Sequence, residues 1–299
     1  MPTIVLATSD GILTFDGDGA PGEVELPGEA VTWVTRGGDD VWAVVDGHAI
    51  RRRHRDAWSD VATLEDFDVT CLMSIDGVPW VGTSEAHLFR VEDGALTRDD
   101  AFDAVEGRDS WFTPWGGPPA TRSIANWDDD VSVNVHVGGI PRTTDGGATW
   151  GPTIDIDADV HQVTTTEQLV LAACAGGLAV SPDRGTSWEL RTDGLDSVYS
   201  RAVAVCGDAV FVSSSTGPRG GRAAVHRAGL SAGDFERCDA GPGWFDGNVD
   251  SHHLDALQDG PFVAFASPEG GLYASDDVGA TWRTVADGLR GVRRLLVMP

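Results

Sequence analysis

TTDGGATW at Thr143–Trp150 returns as SPDRGTSW at Ser181–Trp188 and as SDDVGATW at Ser275–Trp282. The shared skeleton is Ser/Thr-x-Asp-x-Gly-x-Thr/Ser-Trp, and each residue type has a mechanical task. The carboxylates of Asp145, Asp183 and Asp277 can accept backbone N–H groups inside a tight turn. Gly147, Gly185 and Gly279 supply a positive φ at little steric cost. Trp150, Trp188 and Trp282 bury a large apolar surface where the next strand begins. Each stretch therefore reads as a staple across a β-hairpin, and these residues are assigned no chemistry.

The starts of the three turns lie 38 and 94 residues apart, and 94 is twice 47. A degenerate copy fills the second gap, with Phe235–Glu236–Arg237 standing where Trp188–Glu189–Leu190 stands in its neighbour. Repeats of 40–50 residues built from several short strands are the mark of a β-propeller. Aligning the short apolar strand before each turn gives seven copies: Ile12–Phe15, Ala49–Arg52, Leu88–Arg90, Ile140–Thr143, Leu178–Ser181, Ala224–Arg227 and Leu272–Ser275. The turn resembles the Asp-box, or BNR repeat, of sialidase-like β-propellers. The fold expected is all-β, a single seven-bladed β-propeller of four-stranded blades occupying residues 1–299 as one domain. The chain starts in mid-blade with TIVLATS and finishes with RRLLVM. Its last strand is expected to become the innermost strand of the first blade, so that N- and C-terminal strands pair and no sheet edge is left open.

Formal charge is −26, from 47 acidic and 21 basic residues, and every basic residue is Arg. Such a Lys-free acidic composition resembles the proteome of a salt-loving archaeon. In molar salt the Debye length is roughly 3 Å, so self-repulsion is screened. Nucleic acid, which requires a basic face, is excluded as a partner. Cys71, Cys174, Cys206 and Cys238 are widely spaced, without a C-x-x-C pair, and read as reduced core residues. MPTIVLATSD has no basic leader segment, and no apolar run reaches 18 residues. We therefore expect no membrane span and a cytoplasmic location.

Blade geometry then selects the residues that converge. In such a propeller the innermost strands begin at the top face, opposite the stapled turns. Counting back from the shared apolar strand places Trp33, Cys71, Arg122, His161, Arg201 and His253 at those starts in the second to seventh blades. Asp159, Tyr199 and Asp250 lie just upstream of His161, Arg201 and His253. The aromatic stretches WFTPWGGPP and GPGWFDG add Trp115 and Trp244 to the connections, and a loop between second and third strands adds His136. Glu269, Arg219 and Arg222 lie in comparable loops, whereas His48, His54 and His87 read as surface or loop residues.

Paired carboxylates serve glycoside hydrolysis. Arg forks suit a ligand carboxylate or phosphate, and Trp faces suit a sugar ring. The expected ligand is thus a carbohydrate or a small anion, with Arg122, His136, His161, Arg201, His253, Trp115 and Trp244 as binding residues. Asp159, Asp250 and Tyr199 are the candidates for catalysis. Resemblance to sialidases would make Arg122 and Arg201, with Arg219 or Arg222, the clamp on a substrate carboxylate. It would make Tyr199 the nucleophile and Asp159 or Asp250 the acid. The Arg-Ile-Pro motif of sialidases is absent, and no Glu stands beside Tyr199, so a different glycosidase or a sugar binder fits the residues better. Two other readings are a non-catalytic scaffold for a protein partner and a divalent-metal site formed by His136, His161 and His253 with Asp159 or Asp250. No cofactor is otherwise required.

Overall fold

A computed structural model describes all 299 residues. Seven antiparallel sheets follow one another along the chain, the arrangement of a seven-bladed β-propeller. The fourth blade shows the common plan, with strands Thr121–Trp127, Asp130–Val135, Pro141–Thr143 and Gly151–Pro152 paired in sequence order. The first blade is assembled from both chain ends. Val292–Met298 pairs antiparallel with Thr3–Thr8, setting Ile4 opposite Val297, and Thr3–Thr8 pairs in turn with Gly11–Asp16. The expected closure is thus present. The fourth strand of this blade is reduced to two isolated bridges, Ile12 to Glu25 and Phe15 to Pro21.

Contacts within the fold group into two compact units. One comprises Met1–Glu29, Ala173–Ala179 and Leu190–Pro299, and the other Ala30–Ala172 with Val180–Glu189. The second unit packs Trp33, Trp42, Trp80, Phe89 and Phe102 with Val131, Val133 and Val135. The first unit has one core around Phe211, Phe245 and Phe265 and another around Ile4, Leu6, Phe262, Leu295 and Val297. The second of these cores buries the alternate residues of the closing strand, which is what strand periodicity requires.

The stapled turns connect third and fourth strands, as the repeat implies, and all three use one hydrogen-bond network. Thr143 Oγ1 donates to Asp145 Oδ1 at 2.8 Å, while Thr149 N and Oγ1 donate to Oδ1 and Oδ2 at 2.9 and 2.7 Å. Gly147 N returns a bond to Thr143 Oγ1 at 2.9 Å. Ser181, Asp183, Gly185 and Ser187 repeat this pattern, as do Ser275, Asp277, Gly279 and Thr281. Both hydroxyl positions of the skeleton are therefore needed to saturate one carboxylate. Hydrogen bonds from Thr149 hold the Asp145 carboxyl down at about 2, and those from Thr281 do the same for Asp277. Trp150 meets Trp80 and Phe102 edge-on, and Trp282 meets Phe211 and Phe265 in the same way.

Irregular pairing near the starts of several inner strands corrects the register read from sequence. In the second blade pairing steps from Val31 to Trp33, in the third from Val69 to Cys71, and in the fourth from Thr121 to Ser123. Each step skips one residue, a β-bulge that turns the skipped side chain out of the alternation. Thr32 and Thr70, not Trp33 and Cys71, are therefore the equivalents of Arg122. Trp33 instead packs in the core and donates its indole N–H to Leu72 O at 2.7 Å, and Cys71 is fully buried. The same step in the first blade skips Arg293, a position the alignment did not reach.

Candidate functional site

His136, Asp159 and His161 come together in the unit that contains Ala30–Ala172. His136 follows the strand Asp130–Val135, and its backbone N–H still reaches Ala120 O at 3.0 Å. His161 is the second residue of the strand Val160–Thr165. Asp159 ends a short 3₁₀ turn, Ile156–Ala158, in which Asp157 N donates to the side chain of Asp155. It takes the left-handed conformation, φ 48°, which Asp tolerates better than most residues. That turn carries its carboxylate back over the strand start. Nε2 of His136 lies 3.3 Å from Asp159 Oδ1, and Nε2 of His161 lies 3.7 Å from Oδ2. Both imidazoles are buried, and Asp159 is a quarter exposed.

Burial would raise the Asp159 carboxyl, but the His136 contact and the charges of His161, His136 and Arg122 prevail and hold it below the ordinary range. Arg122, the bulged residue of its strand, thus adds its charge to this cluster. Trp115 stacks on the His136 ring, with centroids 4.9 Å apart and planes inclined by 27°, yet remains 68% exposed. Phe112, in the same connection, is also exposed. Indole, imidazoles, guanidinium and carboxylate together offer a stacking platform beside groups that can hold anionic or hydroxyl oxygen.

A second cluster forms in the other unit. Arg201 Nη1 donates to Asp250 Oδ1 at 2.7 Å, and its Nη2 donates to Pro218 O at 3.2 Å. The guanidinium lies 5.5 Å from the centre of the Tyr199 ring. Burial would raise Asp250, but the charge and hydrogen bond of Arg201 hold it low. Burial also pushes the His253 imidazole down, and its Nδ1 is enclosed without a hydrogen bond. Arg293 lies close enough to add its charge there, a residue sequence reasoning missed because the first blade was left out of the alignment.

Several expected ligand residues are already engaged. Trp244 carries the guanidinium groups of both Arg222 and Arg237, each 4.5 Å from the ring centre. Glu269 accepts from Asp246 N at 2.8 Å. His87, read as a loop residue, sits 2.7 Å from Asp103 Oδ1 in a network with Arg98 and Arg108. The four cysteines are buried and free, and burial pushes Cys206 up to about 11 and Cys238 up to about 12. Donors of metal-ligating type cluster at His136, Asp159 and His161, their ligand atoms all within 4.8 Å of one another. Of the expected metal ligands, His136, His161 and Asp159 come together there, and His253 and Asp250 do not belong to the group.

No protein-family model matches the chain, and no curated protein matches it. Solved structures do match, at identities that show the fold alone. YCF48 from Cyanidioschyzon merolae is 16% identical with a TM-score of 0.58, over 85% of this chain and 84% of that one. An ancestral GH74 enzyme is 13% identical with a TM-score of 0.63, over 96% of this chain and 40% of that one. A chain of the mitotic checkpoint complex is 12% identical with a TM-score of 0.63, over 96% and 84%. The class of protein defined is a β-propeller, in which function resides in the site rather than in the fold. No helix is long and apolar enough to cross a membrane.

Proposed function

We propose that this propeller binds a small ligand that is both hydroxylated and anionic, of the sugar-acid class, at Trp115, Arg122, His136, Asp159 and His161. The observation that carries the reading is the exposed Trp115 lying flat on His136, beside a carboxylate and a guanidinium. An indole face takes the apolar face of a sugar ring. Arg122 and the imidazoles take the ligand's carboxylate or hydroxyl groups. Arg122, a fixed cation in a chain of charge −26, favours an anion over a neutral sugar.

The reading is binding rather than hydrolysis. Glycoside hydrolysis needs one carboxylic acid still protonated near neutral pH. Asp159 and Asp250 are both held low by cationic neighbours, so neither is set up as that acid. Tyr199 lies under Arg201, and no Glu in the cluster activates it.

Calorimetric titration in molar KCl with glucuronic and galacturonic acid disaccharides, beside their neutral counterparts, tests the reading. The uronates should bind, and Trp115→Ala and Arg122→Ala should each weaken them. No binding by any uronate, or equal binding by both variants, would refute it. The acidic, Lys-free surface further supports adaptation to high salt.

A further inference from the structure

We propose that His136, Asp159 and His161 form a mononuclear site for a first-row transition ion of the zinc type. This deepens the ligand reading above, since the ion would serve as the anchor for the ligand's anionic oxygen. Two imidazoles with one carboxylate are a donor set suited to zinc, cobalt, nickel or iron, whereas magnesium and calcium prefer oxygen alone. Bonds of about 2.0–2.1 Å in a tetrahedron space the ligand atoms roughly 3.3 Å apart. Each Nε2 lies 3.3 or 3.7 Å from one of the two Asp159 oxygens, and the three ligand atoms lie within 4.8 Å of one another, so a small closure brings them to that spacing.

Two independent features set this cluster apart from an ordinary ion pair. Asn134 lies two residues before His136, in the strand Asp130–Val135 that His136 follows. Its side chain is fully buried, and both amide atoms lack a hydrogen-bond partner. The opposite face of that strand is the apolar one, with Val131, Val133 and Val135 in the core. A buried amide left without partners two residues from His136 is a polar group that a bound species would satisfy. Asp159 Oδ1 is likewise buried, with His136 Nε2 3.3 Å away. In addition, Val137, next to His136, holds φ 48°, an outlier for a β-branched residue. Strain of this kind persists where the surroundings fix a side chain in place. Three protein ligands leave a tetrahedral ion one open position, which the sugar acid's carboxylate would fill.

The test uses the full chain, stripped with chelator and then titrated with Zn²⁺ or Co²⁺ alone. One equivalent should bind, and Co²⁺ should give the intense visible bands of a tetrahedral complex. His136→Gln and Asp159→Asn should each weaken binding at least 100-fold while circular dichroism stays unchanged. Asp159→Asn guards against misfolding, because that residue sits on a surface turn. Absence of stoichiometric binding by wild type, or equal binding by both folded variants, would overturn the proposal. Uronate binding undiminished in the stripped protein would also overturn it while leaving the ligand reading intact. Metal binding without uronate binding would do the reverse.

Discussion

The indole of Trp115 lies on the imidazole of His136, centroids 4.9 Å apart, with most of the indole open to solvent. An exposed aromatic placed in this way contributes little to folding. Trp115→Ala should therefore leave the melting temperature within a degree or two. It should weaken uronate binding about tenfold, on the scale of 1–1.5 kcal/mol for an aromatic stacking contact. Titration calorimetry alongside differential scanning calorimetry checks both halves of the expectation.

Asp255 makes stability depend on pH. Burial raises its carboxyl to about 6, and its Oδ2 accepts from Val297 N of the closing strand at 2.7 Å. Because the folded-state value exceeds the unfolded one, the folded state binds the proton more tightly. The contribution of this group is complete at low pH and is lost as pH rises through about 6. Asp255→Asn should therefore gain on the wild type as pH rises from 4 to 7. Urea unfolding of both proteins at several pH values shows this as a gap widening with pH. A pH-independent gap would contradict it.

The stapled turns should matter for stability and not for the ligand. Gly279 has φ 76°, and a Cβ there would come 2.5 Å from a ring carbon of Phe211. Gly279→Ala must therefore displace the aromatic group of Phe211, Phe265 and Trp282, at a cost of about 2–3 kcal/mol. Chemical denaturation should report that loss, with uronate affinity unchanged in the fraction that remains folded.

Salt should stabilise the protein. With 47 acidic against 21 basic residues, self-repulsion opposes folding at low ionic strength. The melting temperature should climb from 0.1 to 2 M KCl, most steeply at the low end where the Debye length shortens from about 10 Å. A flat or falling profile would contradict the reading of the surface.

The sequence made the architecture legible because the stapled turn repeats a complete hydrogen-bond network. Three copies of Ser/Thr, Asp, Gly and Trp set the blade spacing, and the apolar ends announced the closure. What escaped notice follows from irregular backbone. A bulge is silent in an alignment of apolar strands, so Trp33 and Cys71 were placed where Thr32 and Thr70 belong. Asp159 and His161 were readable as neighbours in the chain. Their partnership with His136 depends on a left-handed Asp159 that the sequence does not specify. Trp244 was readable as an aromatic in a top connection, but its contact with Arg222 and Arg237 comes from two other segments. Asn134 was readable as a polar residue in a valine-rich strand.

Crystals soaked with a glucuronic acid disaccharide in high salt test the central proposal most directly. We expect a sugar ring lying against Trp115, with its carboxylate turned toward Arg122, His136 and His161. Ordered sugar at another surface, with the face of Trp115 bare, would contradict it.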